Sequence, residues 1–351
     1  MWGIHTLAIS ALCLRVTRTA SISTTTADRY LSNRYVGLVT YDGGDFCGWQ
    51  IQPTKRCVQG VLNEVLGEMW QHPVRVFGAS RTDKGVHARG QVIHFDLPQS
   101  LTLSDSETEE SLHQINRILP NDLKVKKLCR APIGSLDLQI EQGLPWHAGE
   151  NAISKHYSYT FTASNDLIDP MSTRYRANLY NHKATQPMDV QSFQNALNVM
   201  KGTRDFKAFG NKLDARAKIH EAHSGETFCS ERTILSAEIS ELQFSSQNSQ
   251  FSTPSSYKYD GTFYRVDVIV DGALYKMLRN IIAGCIEVSY GTMQIDELQS
   301  LLGNVPDPSK NIPAFFPSRT ENRLVTAPAC GLCLEEIFYN EKVFTTLVNT
   351  V

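Results

Sequence analysis

Residues 74–95 constrain this chain more than any other stretch. Two short apolar runs, Val74 to Phe77 and Val92 to Phe95, bracket Gly78-Ala79-Ser80-Arg81-Thr82-Asp83-Lys84-Gly85-Val86-His87-Ala88. Both runs are β-branched and read as strands. The segment between them is then a loop held at both ends, a good place to present a reactive group. Gly85 suits a turn that needs positive φ or a close backbone approach. Asp83 is the only acid between Glu68 and Asp96, and it is flanked by Arg81 and Lys84. Nearby cations favour the ionised carboxylate, which suits a nucleophile better than a general acid. A turn-capping Asp is the plainer reading and the commoner one for an isolated loop residue.

The rest of the chain sets the limits within which that loop works. With 351 residues, 41% of them hydrophobic and 20% charged, there is room for about two domains around a sizeable core. No apolar run approaches the ~18 residues of a membrane span, so no membrane partner is expected. The net charge is −2. A nucleic-acid site would therefore be a local basic cleft, not a basic surface overall. The eight cysteines are scattered, which gives no disulfide framework. Cys330 and Cys333 form a single CxxC without a second pair or a nearby His, so no metal site is expected. No glycine-rich phosphate loop is present. Met1 to Ala27 has no acid, carries Arg15 and Arg18, and is rich in Ser and Thr. That is the composition of an organellar transit peptide; residues 1–30 are expected to direct the protein to mitochondria, a cytoplasmic location being the alternative.

From Tyr35 the pattern becomes that of folded structure. Tyr35 to Tyr41 reads as a strand closed by Asp42-Gly43-Gly44. Val58, Leu62, Val65, Leu66 and Met69 recur at helical spacing over 58–70. A second helix carries Leu112, Ile115 and Ile118 and ends at Pro120, and Leu123 to Leu128 is a strand. The order strand–helix–strand–strand–helix–strand suggests a ferredoxin-like unit. In the second half, Tyr157, Tyr159 and Phe161 alternate along one strand face. Residues 187–200 predict a helix with Val190, Phe193, Leu197 and Met200 on one side. Residues 210–231 are polar, and 244–258 form a Ser-rich low-complexity insertion between strands. Phe263 to Val270 is a strand. Gly272 is expected to open a helix carrying Leu274, Met277, Leu278, Ile281, Ile282 and Cys285. On that wheel Arg279 lies about 140° from Leu274, which fits a solvated residue or one facing a cleft.

Ser80 to Ala88 resembles the Arg-Thr-Asp-x-Gly-Val-His-Ala motif of the TruA-type tRNA pseudouridine synthases, and Gly90 to Phe95 extends the likeness. Further resemblances follow in order along the chain: Phe46-Cys47-Gly48-Trp49-Gln50, the basic-x-Tyr-x-Tyr strand Lys155 to Phe161, Gly202 to Phe209, Tyr275 to Gly284, and Ala327 to Leu334. The likeness spans Tyr35 to Phe338. It departs at Trp146-His147-Ala148-Gly149, where the family usually carries Phe-x-Ala-Arg.

The resemblance implies an α+β fold of two ferredoxin-like α/β halves sharing an antiparallel sheet with a central RNA-binding cleft; periodicity alone supports α+β with two halves. The halves are expected at 34–145 and 146–342. It also implies an isomerase that turns uridine into pseudouridine on the 3′ side of the tRNA anticodon stem-loop, needing no cofactor. Asp83, Tyr157 and Arg279 are the expected catalytic residues, with Arg279 paired to Asp83. Arg81, Lys84, His87, Lys155 and Lys276 are candidate substrate contacts, and Lys207 a weaker one. Trp49 could stack on a base or serve as a core strap. The expected partner is tRNA, with a homodimer among the expectations. Two other readings stand beside this one: a non-catalytic tRNA-binding or folding protein of the same fold, and a hydrolase, which would want a second carboxylate or a metal cluster.

Overall fold

The structure, a computed structural model, describes residues 33–132, 146–165, 170–213, 217–218, 228–242, 262–303, 319 and 322–340. The expected transit segment 1–30, all of the insertion 244–258 and much of 210–231 lie outside the described residues.

The first half runs β1 (Arg34–Tyr41), α1 (Val58–Trp70), β2 (Phe77–Gly78), β3 (His87–Asp96), α2 (Asp105–Ile118) and β4 (Leu123–Arg130). β1 lies between β4 and β3, both antiparallel to it, and β2 pairs with the far edge of β3. The second half runs β5 (Ser154–Thr162), β6 (Ala177–Asn178), α3 (Val190–Met200), β7 (Gly202–Asp205), β8 (Glu231–Leu242), β9 (Phe263–Val270), α4 (Met277–Ser289), α5 (Ile295–Ser300) and β10 (Leu332–Phe338). Its strands repeat the plan, in the order β10-β5-β9-β8, with β7 added at the edge. Each half therefore places its last strand beside its first, then its third, then its second, as in a ferredoxin-like unit.

The two halves form one mixed sheet that is mostly antiparallel. The junction is an exception to the expected antiparallel sharing. β3 and β10 run parallel, through Cys333 opposite His87 and Leu334 opposite Ala88. One edge of β3 is thus divided: β2 takes Ile93 and His94, and β10 takes the end at His87. The loop between β2 and β3, which carries Asp83, therefore sits where the halves meet. Gly90 permits this closeness, because a Cβ there would lie 2.1 Å from Glu335 O.

Local chemistry explains the elements and where they depart from expectation. Ser104 and Glu107 form a reciprocal capping box at the start of α2. Asp189 caps α3 by accepting from Gln191 and Ser192 N–H, so that helix starts at Val190 and not at 187. The strand expected over Val74–Phe77 is reduced to Phe77–Gly78. Side chains of α1 take the backbone groups that a ladder would use. Asn63 Oδ1 accepts from Val76 N, and Gln59 Nε2 donates to Val76 O. α4 begins at Met277, five residues after Gly272. Lys276 stands before it in the left-handed region, φ 64°. Leu274 belongs to the turn ahead of the helix, where its carbonyl accepts from Met277 N, so the wheel relation of Arg279 to Leu274 does not apply.

The core follows from these faces. Phe161 on β5 stacks on Phe193 of α3, and Phe95 of β3 meets Trp70 of α1. Trp146 and Ala148 carry the second half back onto the first. Arg34 Nη1 donates to Trp146 O at 2.7 Å, and Ala148 N donates to His94 Nδ1 at 3.2 Å.

Candidate active site

The Asp83 loop is held from three sides. Trp49 N donates to Thr82 O at 3.0 Å, and Gly85 N to Phe46 O at 3.4 Å. Gln91 on β3, fully buried, donates from Nε2 to Ser80 O and accepts from Ser80 N. Tyr41 OH bonds Thr82 Oγ1 at 2.8 Å. The Phe46–Gln50 segment is therefore a strap over the loop. It fits only with glycine at its centre: Gly48 has φ +96°, and a Cβ there would lie 2.8 Å from Thr82 O. Trp49 is 1% exposed and packs where a Cβ on Gly78 would reach its ring at 2.4 Å. It is a core strap, not an open stacking surface. Gly85 has the expected positive φ, +81°.

Arg279 reaches Asp83 from the other half. Its Nη1 lies 3.3 Å from Asp83 Oδ2, and its side chain is 11% exposed. That contact runs through Nη1, while Nε donates to Ala327 O at 2.7 Å. Ala327 N donates back to Arg279 O. The Ala327-Pro328 turn thus fixes the guanidinium that faces Asp83. Asn280, the next residue, is fully buried. Its Nδ2 donates to Phe209 O and Asn211 Oδ1, and its Oδ1 accepts from Thr326. Four separated stretches, around 83, 209, 280 and 327, therefore meet at the start of α4.

Tyr157 lies on β5 beneath the loop and is 5% exposed, its OH 2.8 Å from Ser80 Oγ. Burial pushes its phenol up to about 12, and the Asp83 charge acts in the same direction. The group at the cavity wall is therefore a neutral phenol at physiological pH.

These residues line a cavity of about 720 Å³. Lys55, Arg81, Lys84, Lys155, Lys212, Lys276 and Arg279 surround it, and Asp83 is the only acid among its described lining residues. A chain of net charge −2 thus concentrates cations around one carboxylate, a field suited to a polyanion. The structure brings together seven of the eight expected residues: Asp83, Tyr157, Arg279, Arg81, Lys84, Lys155 and Lys276.

His87 is the exception. As the first residue of β3 it is buried, 6% exposed, and does not line the cavity. Its Nδ1 accepts from Gly43 N at 3.1 Å and lies 3.1 Å from Asp42 Oδ1, and its ring packs against Tyr175. Lys207 is also absent from the lining. Lys55 and Lys212 were not anticipated, since single lysines in loops carry no pattern. At Gly149, where the related motif has Arg, a Cβ would come no nearer than 3.5 Å to any neighbour, one of them Ala79 O of the loop. A Cβ there is therefore in ordinary van der Waals contact and meets no clash.

Among the described residues no group of three or more His, Cys, Asp or Glu is placed to hold a metal ion. No described helix is long and apolar enough to cross a membrane. Cys330 Sγ faces Arg176 O and Cys333 Sγ faces Leu334 O, so each thiol has its own backbone partner.

A doubled ferredoxin-like sheet thus holds an arginine-paired aspartate in a cleft lined by cations. Comparison with known proteins narrows this. The profile of a family described as "tRNA pseudouridine synthase" matches residues 196–340. The tRNA pseudouridine synthase A of Lacticaseibacillus casei is 31% identical over 306 residues, covering 87% of this chain and 99% of that protein. Those of Citrifermentans bemidjiense and Latilactobacillus sakei are each 29% identical, over 306 and 310 residues, covering 87% and 88% of this chain and 97% and 100% of theirs. The chain belongs to the tRNA pseudouridine synthase A family, a family of isomerases.

Proposed function

We propose that this enzyme isomerises uridine to pseudouridine on the 3′ side of the tRNA anticodon stem-loop, with Asp83 as the nucleophile. The observation that carries the reading is the Asp83–Arg279 pair at 3.3 Å, inside a cavity whose other charged residues, among the described lining, are all cations. The target uridine leaves the base stack to reach a half-buried carboxylate. A cavity of about 720 Å³ is of a size that encloses a small ligand. Asp83 then attacks the nucleotide, or assists loss of the base at the sugar. The N1–C1′ bond breaks, the base turns, and C5 bonds to C1′. C5 loses a proton and N1 gains one. Atoms and electrons balance within one nucleotide, so the chemistry calls for no oxidant, reductant or energy source.

Each side chain then has a task set by its surroundings. Arg279, fixed by Ala327 O, holds and aims the Asp83 carboxylate. Tyr157, a neutral phenol bonded to Ser80, packs against the base in preference to taking its proton. The exposed Arg81, Lys84, Lys55 and Lys212 at the rim suit backbone phosphates, which position the RNA without reading its sequence. Homodimer formation and mitochondrial delivery through residues 1–30 belong to the same proposal; the second is supported by the acid-free, Arg- and Ser-rich composition of Met1 to Ala27. The test is release of tritium from tRNA labelled at C5 of uridine. Release is expected with an anticodon stem-loop carrying uridine on its 3′ side and not when that uridine is replaced by cytidine. Release that persists with cytidine there would place the target elsewhere.

A further inference from the structure

Lys155 differs from the other lysines around the cavity. Lys55, Lys84 and Lys212 are exposed, whereas Lys155 is half-buried on β5, two residues before Tyr157. Strand alternation puts both side chains on one face, about 7 Å apart along the strand. Among the described residues no carboxylate lies within ion-pair distance of Lys155 and no acceptor bonds its ammonium. Burial draws its pKa down, with Arg232 on β8 acting in the same direction and Asp271 at the end of β9 opposing. An unpaired, partly desolvated cation is costly to the resting protein. It becomes favourable when an anion forms beside it in a site closed to water.

The reaction makes such an anion. When N1–C1′ breaks, the electron pair stays on N1 and the charge spreads over the uracil carbonyl oxygens. A flipped base reaches deeper than its phosphates, so a cation beside Tyr157 meets the base, and the exposed lysines at the rim meet the backbone. We propose that Lys155 donates a charge-assisted hydrogen bond to a uracil carbonyl oxygen and holds the detached base between N1–C1′ cleavage and C5–C1′ bond formation. Lys155 keeps its proton throughout; C5 gives its proton to water and N1 takes one from water. This rests on a uridine occupying the Asp83 cavity. Where the acceptor is O4, the same contact rejects cytosine, which carries an amino donor at that position.

The test combines Lys155→Met and Lys155→Arg with tRNA carrying uridine, 2-thiouridine or 4-thiouridine at the modified position, under single-turnover conditions. Lys155→Met is expected to lower the rate constant about 100- to 1000-fold, as when one donor to a developing oxyanion is removed, with tRNA affinity nearly unchanged. Lys155→Arg recovers part of the rate, and Lys155→Leu, which also removes the donor, gives the same comparison should the Met variant fail to fold. One thio-substitution slows the wild type but adds little to the Lys155→Met defect, and which one does so names the oxygen. The inference is overturned if the loss appears as weaker tRNA binding with a shallower salt dependence, the mark of a phosphate contact. It is equally overturned if both thio-substitutions slow Lys155→Met as much as the wild type. Asp83→Asn on the same RNAs separates the two levels. Turnover by that variant removes the reading of the site, while an inert Asp83→Asn beside an unimpaired Lys155→Met removes only the role given to Lys155.

Discussion

Arg279 Nη1 stands 3.3 Å from Asp83 Oδ2 across 196 positions of sequence, and the same guanidinium donates from Nε to Ala327 O. One planar group therefore serves two fixed acceptors. A lysine keeps the charge but lacks that fork. Arg279→Lys is expected to lose at least 100-fold in kcat, the scale of a lost preorganised contact to a reacting group. Its melting temperature should stay close to that of the wild type. Full activity in the Lys variant would reduce Arg279 to a source of charge.

The strap over the loop gives a second expectation. Gly48 sits at φ +96° with Thr82 O where a Cβ would come 2.8 Å from it. Gly48→Ala must strain its backbone or displace the Asp83 loop, a cost of about 1–3 kcal/mol. Lower stability together with a reduced kcat is expected. Gly291→Ala is a control for the backbone term alone, since Gly291 also has positive φ but no atom within 4 Å of its Cβ position. Equal activity in the two variants would show that the strap does not position the loop.

His94 predicts a pH dependence. Burial, with Arg34 and His147 adding to it, holds its imidazole down at about 3, below its ordinary 6.5. Between those values the unfolded chain binds more protons than the folded one, so stability falls as pH falls from 6.5. The limit is about 1.4 kcal/mol per pH unit from this residue. His87 and His147 are shifted downward too, so the informative quantity is a difference. His94→Gln keeps an acceptor for Ala148 N and should flatten the wild-type loss of stability between pH 6.5 and 5, as read by denaturant unfolding at each pH. Parallel curves for the two proteins would assign the dependence to other groups.

Much of this site was legible from residues, and the gaps have physical causes. Tyr157 followed from motif likeness, period-two alternation giving only the strand face it shares with Tyr159 and Phe161. Asp83 and Arg279 followed from motif likeness and from an isolated acid among cations, although the helix carrying Arg279 starts later than its apolar pattern suggests. A left-handed Lys276 ends that pattern, and a lysine gives no warning of positive φ. His87 was misplaced by its nearness to Asp83: β3 begins at His87 itself and turns the side chain inward against Asp42 and Gly43. Val74 and Val76 look like strand residues, but Asn63 and Gln59 of α1 intercept the backbone of Val76. The repeated strand order of the two halves was visible only as an alternation of elements, since pairing across β3 and β10 joins positions 246 residues apart.

The N-terminal segment makes a separate expectation. A reporter fused behind residues 1–30 should accumulate in mitochondria, and removing those residues should leave tRNA modification in vitro unchanged. A cytosolic reporter would contradict the targeting role without touching the chemistry.

The central claim, that Asp83 performs the reaction, is tested most directly by Asp83→Asn in the tritium-release assay. The substitution keeps size and hydrogen bonding and removes the nucleophile. Pseudouridine formation should fall to less than about one part in a thousand, the scale of loss when a reacting group is removed, with tRNA still bound. Turnover above that level by a correctly folded variant would contradict a nucleophilic Asp83.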